Sequence, residues 1–128
     1  MSRWLDDLSP LFRPLAVELL AQCVEANIAV MIIDTLRTEA EQQANLAAGV
    51  SWTPRSRHLT GDAIDICPYE LYSLAPGGDK LAWNAPNVIW DRLGSIGERL
   101  GLRWGGRWQQ RDYGHFEYAE ERPQPTRA

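Results

Sequence analysis

The sequence predicts an α+β domain, a small antiparallel sheet with about three flanking helices. Three observations lead there. Helical and strand-like patterns alternate along one chain of 128 residues, with no internal repeat and no glycine-rich phosphate loop. The last strand candidates lie hairpin-close around Gly105-Gly106, which favours antiparallel pairing. The length suits a single domain spanning 1–128 with its own core, and the charged, proline-containing stretch from Glu120 to Ala128 reads as a frayed tail.

From Ser9 to about Ala26 the pattern is helical. Ser9 can cap, Pro10 suits the first turn, and Leu11, Leu15, Leu19 and Cys23 recur at three-to-four spacing. Ile28 to Asp34 reads as a central strand, apolar on both faces. A second helix begins near Thr38, where Thr38 and Glu41 form a capping-box pair, and Gly49 stops it. Residues 50–61 read as a polar loop, and Ala63 to Cys67 as a short strand ended by Pro68. The stretch from Tyr69 to Pro86 is irregular. A third helix runs from about Asn87 to Leu100, and short strands at Leu102 to Trp104 and Tyr113 to Tyr118 complete the sheet. Among six tryptophans, Trp4, Trp83 and Trp90 read as core or helix-packing residues. Trp52, Trp104 and Trp108 flank the histidine loops and are candidates to wall a cleft.

Composition narrows the function. Thirteen basic against seventeen acidic residues leave a net charge of −4, which argues against a basic nucleic-acid binder. Two cysteines exclude a disulfide framework, and histidine chemistry has only His58 and His115 to work with. No stretch approaches the ~20 apolar residues of a membrane helix, so no membrane partner is expected. The opening MSRWLDDLSP meets acids where a signal peptide would place its apolar core, which reads as synthesis in the cytoplasm without a leader. Lys80 is the single lysine; the other basic residues are arginines, and Arg55, Arg57, Arg103, Arg107 and Arg111 lie near one histidine or the other.

The chemistry concentrates in two segments, Ser56 to Asp65 and Asp112 to Tyr118. His58, Asp65 and His115 would supply two imidazoles and a carboxylate, a ligand set that suits catalytic zinc with one position open to water. Strand alternation puts Asp65 on the face opposite Ile64 and Ile66, and Gly61 permits close approach of His58 to that strand. Asp112 lies three residues before His115, near enough to a metal-bound water to act as a base without ligating. Asp62 and Glu117 read as outer or solvated groups. Cys67 is an alternative soft ligand, though a small core residue fits it better. From spacing alone, structural histidines remain open beside the metal site. An iron triad is disfavoured, because its first histidine and acid usually sit two apart and here the gap is seven.

The run Ser-x-His-x-x-Gly-x-Ala-x-Asp from Ser56 to Asp65 resembles the first zinc motif of the peptidoglycan peptidases that include D-Ala-D-Ala carboxypeptidases and phage L-alanyl-D-glutamate endolysins. Asp112 and His115 match the family's Asp/Glu-x-x-His motif, and Arg37, Thr38 and Gln42 match an upstream Arg-Ser/Thr-x-x-x-Gln element. Where phage relatives often carry proline before the last histidine, this chain has Gly114. The resemblance covers about Ile32 to Glu117 and implies the α+β fold shared with the Hedgehog signalling domain. It implies one Zn²⁺ on His58, Asp65 and His115, Asp112 as base and Arg37 in the cleft polarising the scissile carbonyl. Ser56, Gln42 and Trp108 are candidate substrate contacts. The implied substrate is the stem peptide of bacterial cell wall, cut as an L-alanyl-D-glutamate endopeptidase. The alternatives are a D-alanyl-D-alanine carboxypeptidase and a non-catalytic zinc-stabilised binding module. The expected enzyme is a monomer that reaches the wall after holin-mediated release.

Overall fold

The computed structural model describes residues 1–51, 55–70 and 80–120. Apolar residues at helical spacing build α1 (Arg13–Glu25), which buries Ala16, Leu19 and Cys23. Its regular part starts later than the sequence reading, because Ser9 first closes a turn: its Oγ and carbonyl both accept from the Phe12 N–H at 3.2 Å. β1 is Val30–Asp34. α2 (Glu39–Ala47) opens on the expected capping box, with the Thr38 side chain accepting from the Glu41 N–H and the Glu41 side chain from the Thr38 N–H. A 3-10 turn, Arg57–Thr60, leads into β2 (Ala63–Glu70). β3 (Lys80–Leu81), α3 (Asn87–Arg99), β4 (Arg103–Trp104), a second 3-10 turn at Gly105–Arg107 and β5 (His115–Glu117) follow.

The sheet is antiparallel in the order β1-β2-β5-β4, with β3 added to the far end of β2. β2 therefore sits at its centre, paired with β1 on one side and β5 on the other. It continues past Pro68, contrary to the reading that proline ends it. The Tyr69 N–H donates to Ala29 on the β1 side, while the Pro68 carbonyl accepts from Ala82 at 2.7 Å on the opposite edge. The missing proline N–H falls on that second edge, where the ladder needs only the carbonyl.

One apolar core joins α1 and α3 to the sheet through Phe12, Leu19, Ile64, Ile66, Trp90, Leu93 and Phe116. α3 approaches the sheet with its backbone: a methyl at Gly94 would strike the Trp104 ring, and one at Gly97 the Phe116 ring. Trp104 is thus a core residue and not a cleft wall, its Nε1–H donating to the Tyr113 carbonyl at 2.8 Å. Trp90 is buried as expected, and Trp83 stacks on it while staying half exposed. Trp4, read as a packing residue, is instead 75% exposed. Trp52 and most of the irregular stretch lie outside the described residues, as does the tail beyond Glu120. None of the described helices is long and apolar enough to cross a membrane.

Phe116 lies between the two histidine-strand neighbours His115 and Glu117 and is fully buried against α3. Phe116→Ala should therefore cost about 3–5 kcal/mol, read by urea denaturation of the metal-free protein. A loss below about 1 kcal/mol would contradict this packing of β5.

Candidate active site

The sheet register assembles the site. Asp65 on β2 stands opposite His115 on β5 and, beside a register shift in β1, opposite Asp34. The Arg57–Thr60 turn then delivers His58 over the same end of β2. Ser56 closes that turn, its Oγ accepting from the His58 N–H at 3.2 Å. Gly61 ends it with a left-handed backbone, φ 73°. Its close approach is to the N-terminal segment, not to β2 as expected: a Cβ there would lie 2.9 Å from the Asp7 carbonyl oxygen and from the Ser9 nitrogen. Asp62 is buried, accepting from Ser9 and Thr60, and so is a structural anchor for this turn and not a solvated group.

His58 and His115 meet edge to face, with ring centroids 5.1 Å apart. Asp65 Oδ1 lies 3.1 Å from His58 Nε2 and 2.9 Å from His115 Nδ1. These are the one group among the described residues whose ligand atoms converge, all within 4.8 Å of one another. Two ligand atoms on a tetrahedral zinc, each ~2.0–2.1 Å from it, would lie about 3.3 Å apart.

Each imidazole has its other nitrogen occupied. His58 Nδ1–H donates to the Thr35 carbonyl at 2.7 Å, which leaves Nε2 buried, without a hydrogen-bond partner and facing Asp65 Oδ1. A buried ring nitrogen left unpartnered beside a carboxylate is costly in a protein interior, and a cation held between the two would satisfy both. His115 Nε2–H donates to Glu117 Oε1 at 2.8 Å, which turns Nδ1 toward Asp65. The donor set and this orphaned nitrogen fit zinc held by His58 Nε2, Asp65 and His115 Nδ1. Cys67 joins the apolar core instead, and burial pushes its thiol up to about 11, far from the thiolate that binds metal.

Around this group opens a cleft of ≈ 330 Å³, lined among others by Arg37, Arg55, Ser56, Trp108 and Asp112. Asp112 and His115 share one turn, the His115 N–H donating to the Asp112 carbonyl at 3.2 Å. Gly105 backs that turn so closely that a methyl would fall on the Asp112 carbonyl oxygen, and one at Gly114 would fall on that of Ile66. Burial, then the charge of Asp65, raises the Asp112 carboxyl above the ordinary aspartate value, the direction a base working near neutral pH needs. Arg37 pairs with Asp34 through Nε and Nη2 and donates from Nη1 to Gln42 at 2.6 Å. Three of its five N–H groups are so engaged, and the guanidinium is held at the cleft wall.

Gln42, expected at the substrate, is fully buried and does not line the cleft; it bridges Arg37 to Ser51. Trp108 does line it, its ring 4.9 Å from that of His115. Sequence reasoning missed the Thr35 carbonyl, Asp34 and the engaged role of Glu117. Only Glu117 had a signal, since His115-x-Glu117 on a strand puts both side chains on one face.

A family profile described as D-alanyl-D-alanine carboxypeptidase matches residues 49–118. The L-alanyl-D-glutamate peptidase of Listeria phage A118 is 34% identical over 82 residues, covering 63% of this chain and 27% of that protein. That of Escherichia phage T5 is 34% identical over 85 residues, covering 60% of this chain and 57% of that protein. The chain thus spans well under two thirds of both phage proteins. Among solved structures, the L-Ala D-Glu endopeptidase ChiX of Serratia marcescens aligns with TM-score 0.62 and 27% identity, over 88% of this chain and 81% of that one. The D,D-pentapeptidase VanY of a VanB-type vancomycin resistance cassette, solved with Zn(II), shares the fold at TM-score 0.59 and 16% identity, over 88% and 73%.

Burial disfavours a charge on His115, yet its hydrogen bonds to Asp65 and Glu117 outweigh this and push its pKa up to about 10. A histidine whose folded pKa lies above its unfolded value of about 6.5 stabilises the fold fully below that value. The stability is then lost as pH rises toward the folded pKa. Metal-free protein should therefore melt at progressively lower temperature between pH 6.5 and 9, where the buried Cys23 and Cys67, raised to about 11, stay neutral. Differential scanning calorimetry in chelator checks this, and a flat or rising profile would contradict it.

Proposed function

Because the chain belongs to the peptidase family described as D-alanyl-D-alanine carboxypeptidase, we propose that its cleft hydrolyses the stem peptide of bacterial peptidoglycan, between L-alanine and D-glutamate. The convergence of His58, Asp65 and His115 beside Asp112 carries the reading of a hydrolytic metal centre. The choice of bond is supported by the printed activities of both phage relatives and of ChiX.

In this reading His58, Asp65 and His115 hold one zinc ion. Bound there, zinc supplies Lewis acidity and brings the pKa of a bound water toward about 7. Asp112 takes the proton of the water that attacks the amide carbon and returns it to the nitrogen as the C–N bond breaks. Arg37, pinned by Asp34 and Gln42, offers its remaining N–H groups to the carbonyl oxygen as charge develops there. Losing such a donor typically costs about 10²–10³ in rate. Ser56 and Trp108 stand along the cleft where substrate would lie. Anionic stem peptides suit the arginines that line it.

Asp112 favours catalysis over a zinc-stabilised binding module, since a binder has no use for a half-buried carboxylate with a raised pKa at the cleft beside the metal ligands. Action as a monomer, and delivery to the wall by holin-type release, belong to the same proposal; the release route rests on the phage origin of two relatives.

Asp112→Ala should keep zinc and lose at least about 10²-fold in the lysis rate of outer-membrane-stripped cells. His115→Ala should lose tight zinc binding as well. Near-wild-type lysis by a zinc-loaded Asp112→Ala protein would overturn the assigned base. Mass spectrometry of digested muropeptides separates the bonds: fragments beginning with D-glutamate support the endopeptidase, whereas loss of one terminal D-alanine would assign the carboxypeptidase.

A further inference from the structure

We propose that Glu117 is a positioning residue that fixes the ring of His115 and thereby the zinc affinity of the whole site. The inference rests on the reading of His58, Asp65 and His115 as zinc ligands. Glu117 follows His115 by two positions on β5, so strand alternation puts both side chains on one face. Its Oε1 accepts from His115 Nε2–H at 2.8 Å, and the side chain is only 10% exposed. Its Oε2 lies 3.2 Å from Arg57 Nε and 3.7 Å from Arg103 Nη1.

Those two arginines come from different directions. Arg57 belongs to the turn that carries His58, and Arg103 to β4, the strand paired with β5. Glu117 is therefore clamped between the turn that carries His58 and the neighbouring strand β4 while it holds the imidazole. With Nε2–H so engaged, Nδ1 is the nitrogen left to face Asp65 and the metal position. Rotation of the ring by half a turn would break the bond to Glu117 and put the ring carbon Cδ2 where Nδ1 faces Asp65. The same contacts assign Arg57, a cleft-lining residue, to supporting the metal ligands and not chiefly to gripping substrate. Partners of this kind typically alter metal affinity by 10–100-fold when removed.

The test is zinc affinity, measured by competition with a chromophoric chelator for the wild-type chain and for Glu117→Ala, Glu117→Gln and Glu117→Asp. Thermal unfolding of each metal-free protein serves as the check on folding. Glu117→Ala is expected to bind zinc about 10–100-fold more weakly and to change the visible spectrum of the Co(II)-loaded protein. Glu117→Gln keeps an acceptor at the same reach and should recover most of the affinity and the wild-type spectrum. Wild-type affinity in a folded Glu117→Ala protein overturns the proposal. So does a Gln variant as weak as the Ala variant, which would leave Glu117 a role in charge alone. Should the Ala variant fail to fold, Asp decides: one methylene shorter, it must bind zinc more weakly than Gln, and equal affinities overturn the proposal. A wild-type chain that takes up no zinc would instead sink the metal-site reading itself.

Discussion

The site depends on one pairing, the antiparallel register that sets Asp65 of β2 against His115 of β5. A slip by one residue would turn every side chain of β5 to the other face. The core forbids that slip. Phe116 must enter the space left by Gly97 on α3, and Ile64 must face it across the ladder. The bond from the Ile66 N–H to the Gly114 carbonyl, 2.9 Å, carries the same register into the turn that bears Asp112. Apolar packing behind the sheet thus fixes the placement of polar groups in front of it, and the geometry of the proposed ligands is inherited from the core.

His58 is held by a different device. It comes from a short turn, and three contacts substitute for a strand. Ser56 caps the turn, the Arg37 N–H donates to the His58 carbonyl at 3.0 Å, and the Thr35 carbonyl takes the ring Nδ1–H. Thr35 in turn donates its own N–H to the Ser2 carbonyl at 2.8 Å, so the N-terminal segment braces the acceptor that orients the His58 ring. Ser9 and Asp62 tie the same segment to the far side of the turn. Residues distant in sequence from any catalytic motif therefore contribute to the rigidity a metal site requires.

Much of this was legible in the residues. Only two histidines exist, so a site using histidine has to draw on one or both of them, alternation on β2 gives Asp65 the face a ligand needs, and the motif resemblance joins the three. Helix signals at Thr38 and Glu41 were local and strong. What could not be read was tertiary. Trp104 next to a histidine loop looks like a cleft wall until Gly94 and Gly106 are seen to make room for it in the core. Pro68 looks like a strand end because its ladder edge is invisible in sequence. Gln42 resembles a substrate contact because it belongs to a motif with Arg37, yet its side chain is spent on that arginine and on Ser51, a pairing that only the folded chain reveals. Backbone acceptors such as the Thr35 carbonyl carry no side-chain signature at all.

The charges around the cleft explain why these supports are so dense. Asp34, Asp65, Asp112 and Glu117 bring four carboxylates into a small, largely buried volume, against three nearby guanidiniums, those of Arg37, Arg57 and Arg103. With neutral imidazoles the group would keep one uncompensated negative charge, which burial makes expensive. In the metal-free protein Asp65 and Glu117 push the pKa of His115 up to about 10, which favours its charged form between them. A divalent cation on the same ligands would displace that proton and leave the cluster with one positive charge. An overall acidic chain would then present a locally cationic cleft, lined further by Arg55, to an anionic peptide. Negative charge gathered in the fold to hold a metal is thus converted by that metal into the attraction the proposed substrate requires.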